Sequence, residues 1–349
     1  MITTDCLQVL CSYLDLHTIL SLLWASQRVR SQIREIQPRI HDNVSFRLHE
    51  PSPQSLWKYM QLQSISIQFP AYANCGVWSS DALLMAFACD DVIYVWSQVT
   101  NQLVSTLTGH CDDIQTLAWS SDGLLLASCS NDHTILIWSG SSIKHILCEH
   151  SQTVWSIAFN ADNTKLVSGS TDGKVCIWDM TTGLLIRVWQ RAETHVHLVS
   201  ISSDGVLVAI ATNECTSYLW DTLTGITHTL PRHDAWLSSM IFSPDQTRLV
   251  LGYDDGLVRI YNVHTLSMTV LIHSGPIWYR GTCLIAFSPD GSQIIRRFGD
   301  IAIFNAATGT RLKTLDYNRG KCVLALQWSQ HCISVITAKR EKIQLIHHK

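Results

Sequence analysis

An aromatic residue closes a β-branched run again and again along this chain, at Trp96, Trp138, Trp178, Trp220, Tyr261 and Phe304, with spacings of 42, 40, 42, 41 and 43 residues, and Leu345 follows 41 residues later. Self-similarity at a period of about forty residues constrains the fold before any local reading, because each period is one unit that cannot bury its apolar face alone. Inside a period, short apolar runs alternate with turn clusters: SSDG at 120–123, NADN at 160–163, SPDQ at 243–246 and SPDG at 288–291. Gly, Asp and Asn supply the backbone conformations that tight hairpins need. Each period therefore predicts one four-stranded antiparallel sheet, and the count predicts seven. Only 15% of residues are charged, against about 25% in an average domain, which agrees with a chain spent mostly on buried strands.

A second pattern runs in register with the first. His110, Asp132 and Trp138 are spaced as His150, Asp172 and Trp178 are, and as His233, Asp255 and Tyr261 are. Gly109–His110 leads one unit in, and Trp178–Asp179 and Trp220–Asp221 close two others. These elements resemble the WD-repeat family, over residues 64–349. The resemblance implies an all-β, seven-bladed propeller, with His110, Ser128, Asp132 and Trp138 forming a hydrogen-bonded chain inside one blade and His150, Ser168, Asp172 and Trp178 repeating it. A Ser, a His and an Asp together also suit a nucleophilic triad, but a triad occurs once, and this set recurs every forty residues. We expect no catalytic residues, no metal and no cofactor. His195 and His197 share a strand face without a third ligand, and there is no phosphate-binding glycine loop or zinc-protease helix motif. The pattern weakens in places: the fourth unit has Ala192 where the His belongs and lacks the turn Asp, the fifth has Leu251 for Ser and Tyr261 for Trp, the sixth carries an insertion after His273, and the seventh has no such chain. SISIQF at 64–69 alternates like an outer strand and is expected to complete the sheet built from residues 322–347.

Residues 1–45 do not fit the repeat. Leu7, Leu10 and Leu14, then Ile19, Leu22 and Val29, recur at helical spacing. With Tyr13 and Asp15, and the ASQR at 25–28, this run resembles an F-box, the helical motif that docks a receptor onto a Skp-type adaptor and cullin. The usual Leu-Pro opening is Ile2–Thr3 here, and the usual late Trp is Val29. The implied organisation is a helical segment at 1–45 with Leu7, Leu10, Leu14, Ile19 and Leu22 on the adaptor, a linker at 46–63, and the propeller at 64–349. The implied function is the substrate-recognition subunit of a Skp/cullin/F-box ubiquitin ligase. The alternative is a WD-repeat scaffold for another multiprotein complex.

By the same resemblance, partners meet the end of the ring near the start of each inner strand. The register places Asn74, Gln115, Trp155, His197, Ser238, Cys283 and Leu324 there, joined by Asn131, Thr171 and Asp254 before the turn aspartates, with Trp236 one position outside. Trp155 and Trp236 are the expected anchors; the other reading of each is packing within its own sheet. No arginine falls on these positions, since Arg232, Arg280, Arg296 and Arg297 lie off them, so a target protein held by aromatic and neutral polar contacts is expected rather than a phosphorylated one. The net charge of −3 and pI of about 6.6 argue against nucleic acid or an anionic membrane as partner. No apolar run reaches the length of a membrane span, residues 2–5 lack the positive start of a signal peptide, and twelve cysteines without a C-x-x-C pair read as reduced thiols of the cytoplasm or nucleus.

Overall fold

The computed structural model describes residues 66–68, 73–98, 100, 102–191, 194–272, 282–315, 322–328, 333–339 and 342–348. The F-box-like segment and the linker lie outside the described residues, as do Ala192, His273 and Arg280. The chain divides into two compact units, Met1–Leu62 with Ser97–Gln102, and Gln63–Trp96 with Leu103–Lys349.

The second unit is built of antiparallel sheets, and the described residues contain no helix. Six sheets of four strands each follow in chain order over residues 75–108, 114–147, 154–190, 196–229, 237–272 and 284–315, here sheets one to six. A further ladder joins the far end of the chain to its near end: Ser66–Gln68 pairs with Lys342–His348, Ile67 opposite Ile343, and that strand pairs in turn with Ile333–Lys339, itself paired with Cys322–Trp328. Ser66–Gln68 thus contributes an outer strand to the last sheet, in the place the alternation of 64–69 predicts.

Burial explains the order within each sheet. The second strands, such as Leu125–Ser130 and Lys165–Ser170, are buried along nearly their whole length, because both faces are covered. The fourth strands, such as Leu185–Gln190, are largely exposed. The core therefore lies between neighbouring sheets: Ile135, Ile137 and Leu147 of sheet two pack with Val154, Leu166 and Trp178 of sheet three, and Val250 and Ile260 of sheet five with Ile285 and Phe304 of sheet six. The first strands run side by side, Cys75–Trp78 against Ile114–Trp119, then Val154–Phe159, Val196–Ile201, Leu237–Phe242, Leu284–Phe287 and Cys322–Trp328, and the last of these lies against the first. This is a β-propeller-like arrangement.

Two local devices position the ends of the sheets. The hairpin between first and second strands repeats one turn, in which the Ser120 hydroxyl donates to Asp122 (2.6 Å) while the Asp122 carboxylate accepts the Leu124 amide (3.0 Å); Ser202–Asp204 and Ser288–Asp290 repeat it. At the opposite end, the first strand of sheets two to five carries a β-bulge at its second residue. A bulge leaves one residue unpaired and re-aims its side chain.

Candidate functional site

The hydrogen-bonded chains are internal. In sheet two, His110 Nδ1 lies 2.8 Å from Asp132 Oδ2, His110 Nε2 lies 2.8 Å from Ser128 Oγ, and Trp138 Nε1 donates to the same hydroxyl at 2.9 Å. The carboxylate only accepts, so Nδ1 carries the proton and Nε2 accepts the Ser128 hydroxyl. Every polar member is then satisfied with a neutral imidazole. Sheet three repeats the set with His150, Ser168, Asp172 and Trp178, at 3.1, 2.8 and 2.9 Å. Burial opposes ionisation of Asp172, but hydrogen bonds from His150 and the Ser151 and Lys174 amides outweigh it and hold the carboxyl down at about 2. In sheet five the His turns over. His233 Nε2 donates to Asp255 (2.7 Å) because Arg259 Nη2 donates to Nδ1 (3.1 Å), and Leu251 and Tyr261, both buried, take the places of Ser and Trp. None of these hydroxyls faces a substrate space; Ser128 and Ser168 are fully buried.

The rim residues have a common structural basis. Gln115, Trp155, His197 and Ser238 are the unpaired bulge residues of sheets two to five, and the same irregularity falls at Leu324 in the Cys322–Trp328 strand, whose side chain lies outside the described residues. Trp155 and Trp236 are each 43% exposed, so neither indole is consumed by its own sheet. Their backbones are pinned: the Thr116 hydroxyl donates to the Trp155 carbonyl (2.7 Å), the Trp236 amide to Asp254 Oδ1 (3.1 Å), and the Asp254 amide to the Trp236 carbonyl (2.9 Å). Gln115 donates to Asn131 at 3.0 Å. Asn74 is exposed and Thr171 and Ser238 are half-buried. His197 is no open contact: its ring lies against Trp236, tilted to it, and its Nε2 donates to the Leu237 carbonyl at 3.0 Å.

The WD domain, G-beta repeat model matches residues 101–139, 141–179 and 225–262. Among similar proteins, Apoptotic protease-activating factor 1 of Rattus norvegicus is 26% identical over 71% of this chain and 20% of its own length. Protein HIRA of Gallus gallus is 34% identical over 22% of this chain and 10% of its own. Nuclear distribution protein PAC1-2 of Uncinocarpus reesii is 25% identical over 57% of this chain and 39% of its own. The chain spans about a fifth of the length of the first of these relatives.

Within and beside the segments that resemble WD repeats, the structure corrects the rim at three points. Cys283 is not on it. The side chain is fully buried in the core between sheets five and six, and burial raises its thiol to about 12. The expectation of an arginine-free rim also fails. Arg297 stands opposite Leu284, the register held by Cys129, Gly169 and Gly252 elsewhere, and its long side chain carries Nη1 to the carbonyl and hydroxyl of Thr282, both at 3.1 Å, at the entry to sheet six. Arg296 stays inside, donating to the Gly256 carbonyl (2.9 Å) over the Phe304 ring. Finally, Asn213 was missed. It shares the register of Thr171 and Asp254, and its Oδ1 accepts the His195 amide at 3.0 Å as Asp254 accepts that of Trp236. The absent turn Asp hid it; the bare spacing from Thr171 would have found it.

Among the described residues no group of His, Cys, Asp and Glu is set to hold a metal, and no helix is long and apolar enough to cross a membrane. The eight cysteines whose side chains are described are free thiols. Cys129 and Cys176, read as strand residues, are buried, whereas Cys111 and Cys148 are exposed.

Proposed function

We propose that this chain is a protein-docking platform, a seven-bladed WD-repeat propeller that holds a target protein on the bulged end of its ring and performs no catalysis of its own. The observation that carries the reading is the pair of half-exposed indoles, Trp155 and Trp236, fixed at their backbones by hydrogen bonds to Thr116 and Asp254. A few rigid aromatic anchors surrounded by near-neutral contacts are how protein interfaces concentrate affinity, and anchors that are already ordered lose little entropy on binding. The seven-bladed count is supported by the cyclic succession of first strands and by the pairing of Ser66–Gln68 with Lys342–His348. Affinity purification of the full chain tests the reading. Trp155→Ala and Trp236→Ala are expected to lower recovery of the target about tenfold, while Lys313→Ala on an outer strand leaves it unchanged. Equal recovery by all three variants rejects the platform.

The finer reading gives the platform a ubiquitin-ligase role, with residues 1–45 on a Skp-type adaptor and cullin in the cytoplasm or nucleus. What favours it is the spacing of Leu7, Leu10, Leu14, Ile19 and Leu22 around Tyr13 and Asp15. None of the three relatives described above is named as a subunit of such a ligase. Co-purification separates the two: the full chain recovers adaptor and cullin, and Leu10→Asp or Leu14→Asp abolishes this while the target stays bound. If the full chain recovers no adaptor, the scaffold reading stands alone.

A further inference from the structure

The rim is not uniform around the ring, and its unevenness speaks to the kind of partner it fits. On one side it is acidic. The Asp90 carbonyl accepts the Ile114 amide at 2.9 Å, and the Asp113 carbonyl accepts the Asn131 amide at 3.0 Å. These bonds bring the turn of Asp90 and Asp91 in sheet one beside the loop of Asp112 and Asp113 in sheet two, around the bulge at Gln115. All four aspartates are exposed, and among the described residues none lies in an ion pair. Among the described residues, three cations at this end are already engaged: Lys174 lies 3.9 Å from Glu149, Arg232 3.8 Å from Asp234, and Arg191 over the Tyr218 ring. The Thr116 hydroxyl then carries the surface from sheet two to the backbone of Trp155 on sheet three, and His197 and Trp236 follow on the next two sheets.

Resting on the platform reading, we infer that the partner is a basic protein segment, with Lys or Arg side chains over the four exposed carboxylates and a further cation or apolar side chain on the face of Trp155. Charge complementarity selects this occupant. A carboxylate patch repels phosphate-bearing and acidic segments, while an exposed indole face attracts a guanidinium or ammonium group. Arg297, at the same end, is held by Thr282 at sheet six, away from the patch.

The test uses the full chain and three short labelled peptides, Gly alternating with Arg, with Gln or with Glu, followed by fluorescence anisotropy. The Arg peptide is expected to bind at least about tenfold more tightly than the Gln peptide, the Glu peptide not at all, and the affinity to fall as salt shortens the reach of the charges. Replacing Asp90, Asp91, Asp112 and Asp113 together by Asn, and separately Trp155→Ala with every charge kept, should each cost about tenfold. Equal binding of the Gln peptide overturns the inference. So does Arg-peptide binding that ignores Trp155→Ala, which would mark adventitious electrostatics. A photo-crosslinking residue at the exposed Gln152 distinguishes this from failure of the platform. A captured segment that is neutral or acidic ends the inference and leaves the platform standing; no capture together with no peptide binding ends both.

Discussion

The imidazole of His197 and the indole of Trp236 belong to different sheets, yet their ring centroids lie 4.2 Å apart with planes tilted by 31°. His197 Nε2 donates to the carbonyl of Leu237, the residue after Trp236, so the tautomer is fixed and Nδ1 bears no proton. That Nδ1 is buried with no hydrogen-bond partner. The arrangement supports the indole, and it gives a protonated His197 nowhere to place its second N–H.

From this follows a pH dependence. Burial lowers His197 from the usual 6.5 to about 4, against a smaller opposing effect of its bond to Leu237. The folded state prefers the neutral ring, so the unfolded chain takes up a proton first as pH falls. The contribution to stability is full above pH 6.5 and declines between 6.5 and 4. His197→Gln should flatten the fall in Tm over that window, and should weaken partner binding through a loosened Trp236. An unchanged Tm profile would show that the ring titrates freely.

Ser128 is the joint of the chain in sheet two, accepting Trp138 Nε1 and donating to His110 Nε2. Ser128→Ala leaves two buried groups without partners, at about 1–3 kcal/mol each. We expect a loss of about 3 kcal/mol in urea unfolding, with no change in the urea dependence. Ser168→Ala should behave alike, since its bonds have the same lengths within 0.1 Å.

Close approach of neighbouring sheets gives a third expectation. A Cβ on Gly169 would stand 2.6 Å from Val196 Cγ1 and 2.7 Å from Val199 Cγ1, both on sheet four. Neither methyl is the end of a flexible chain, so Gly169→Ala forces the sheets apart. Overpacking of this kind costs about 1–3 kcal/mol, read as a lowered Tm. Gly123→Ala, where nothing lies within 4 Å, tests backbone strain alone at φ +69° and separates the two effects.

Much of this was legible in the residues. The forty-residue period, the turn clusters and the spacing of His110, Asp132 and Trp138 foretold sheets two and three closely, because those features are local and repeat in register. The bulges were not legible as such. The register of the repeat landed on Gln115, Trp155, His197 and Ser238, but not on the reason they stand apart, which is an unpaired residue that only the ladder reveals. It failed at Cys283, where the first strand of sheet six begins at Leu284 and shows no bulge. Arg297 was misplaced because its Cα stands off the rim while its guanidinium, several bonds away, reaches it.

Acid unfolding provides the last prediction. Asp172 accepts from His150 Nδ1 and from the Ser151 and Lys174 amides, and despite the opposing effect of burial these bonds depress it from 3.8 to about 2. Asp132 is lowered in the same direction by Thr134, Cys111 and His110, again against burial. A depressed carboxyl stabilises the fold above its unfolded value and loses that contribution as pH falls through its folded one. The fold should therefore weaken between pH 3.8 and about 2 on this account, below the window set by His197. Asp172→Asn keeps the shape and removes the charge. It should lower stability at neutral pH by about 1–2 kcal/mol and make the acid limb shallower, as read by circular dichroism across pH. A limb as steep as that of the parent chain would mean that carboxylates other than Asp172 drive the transition.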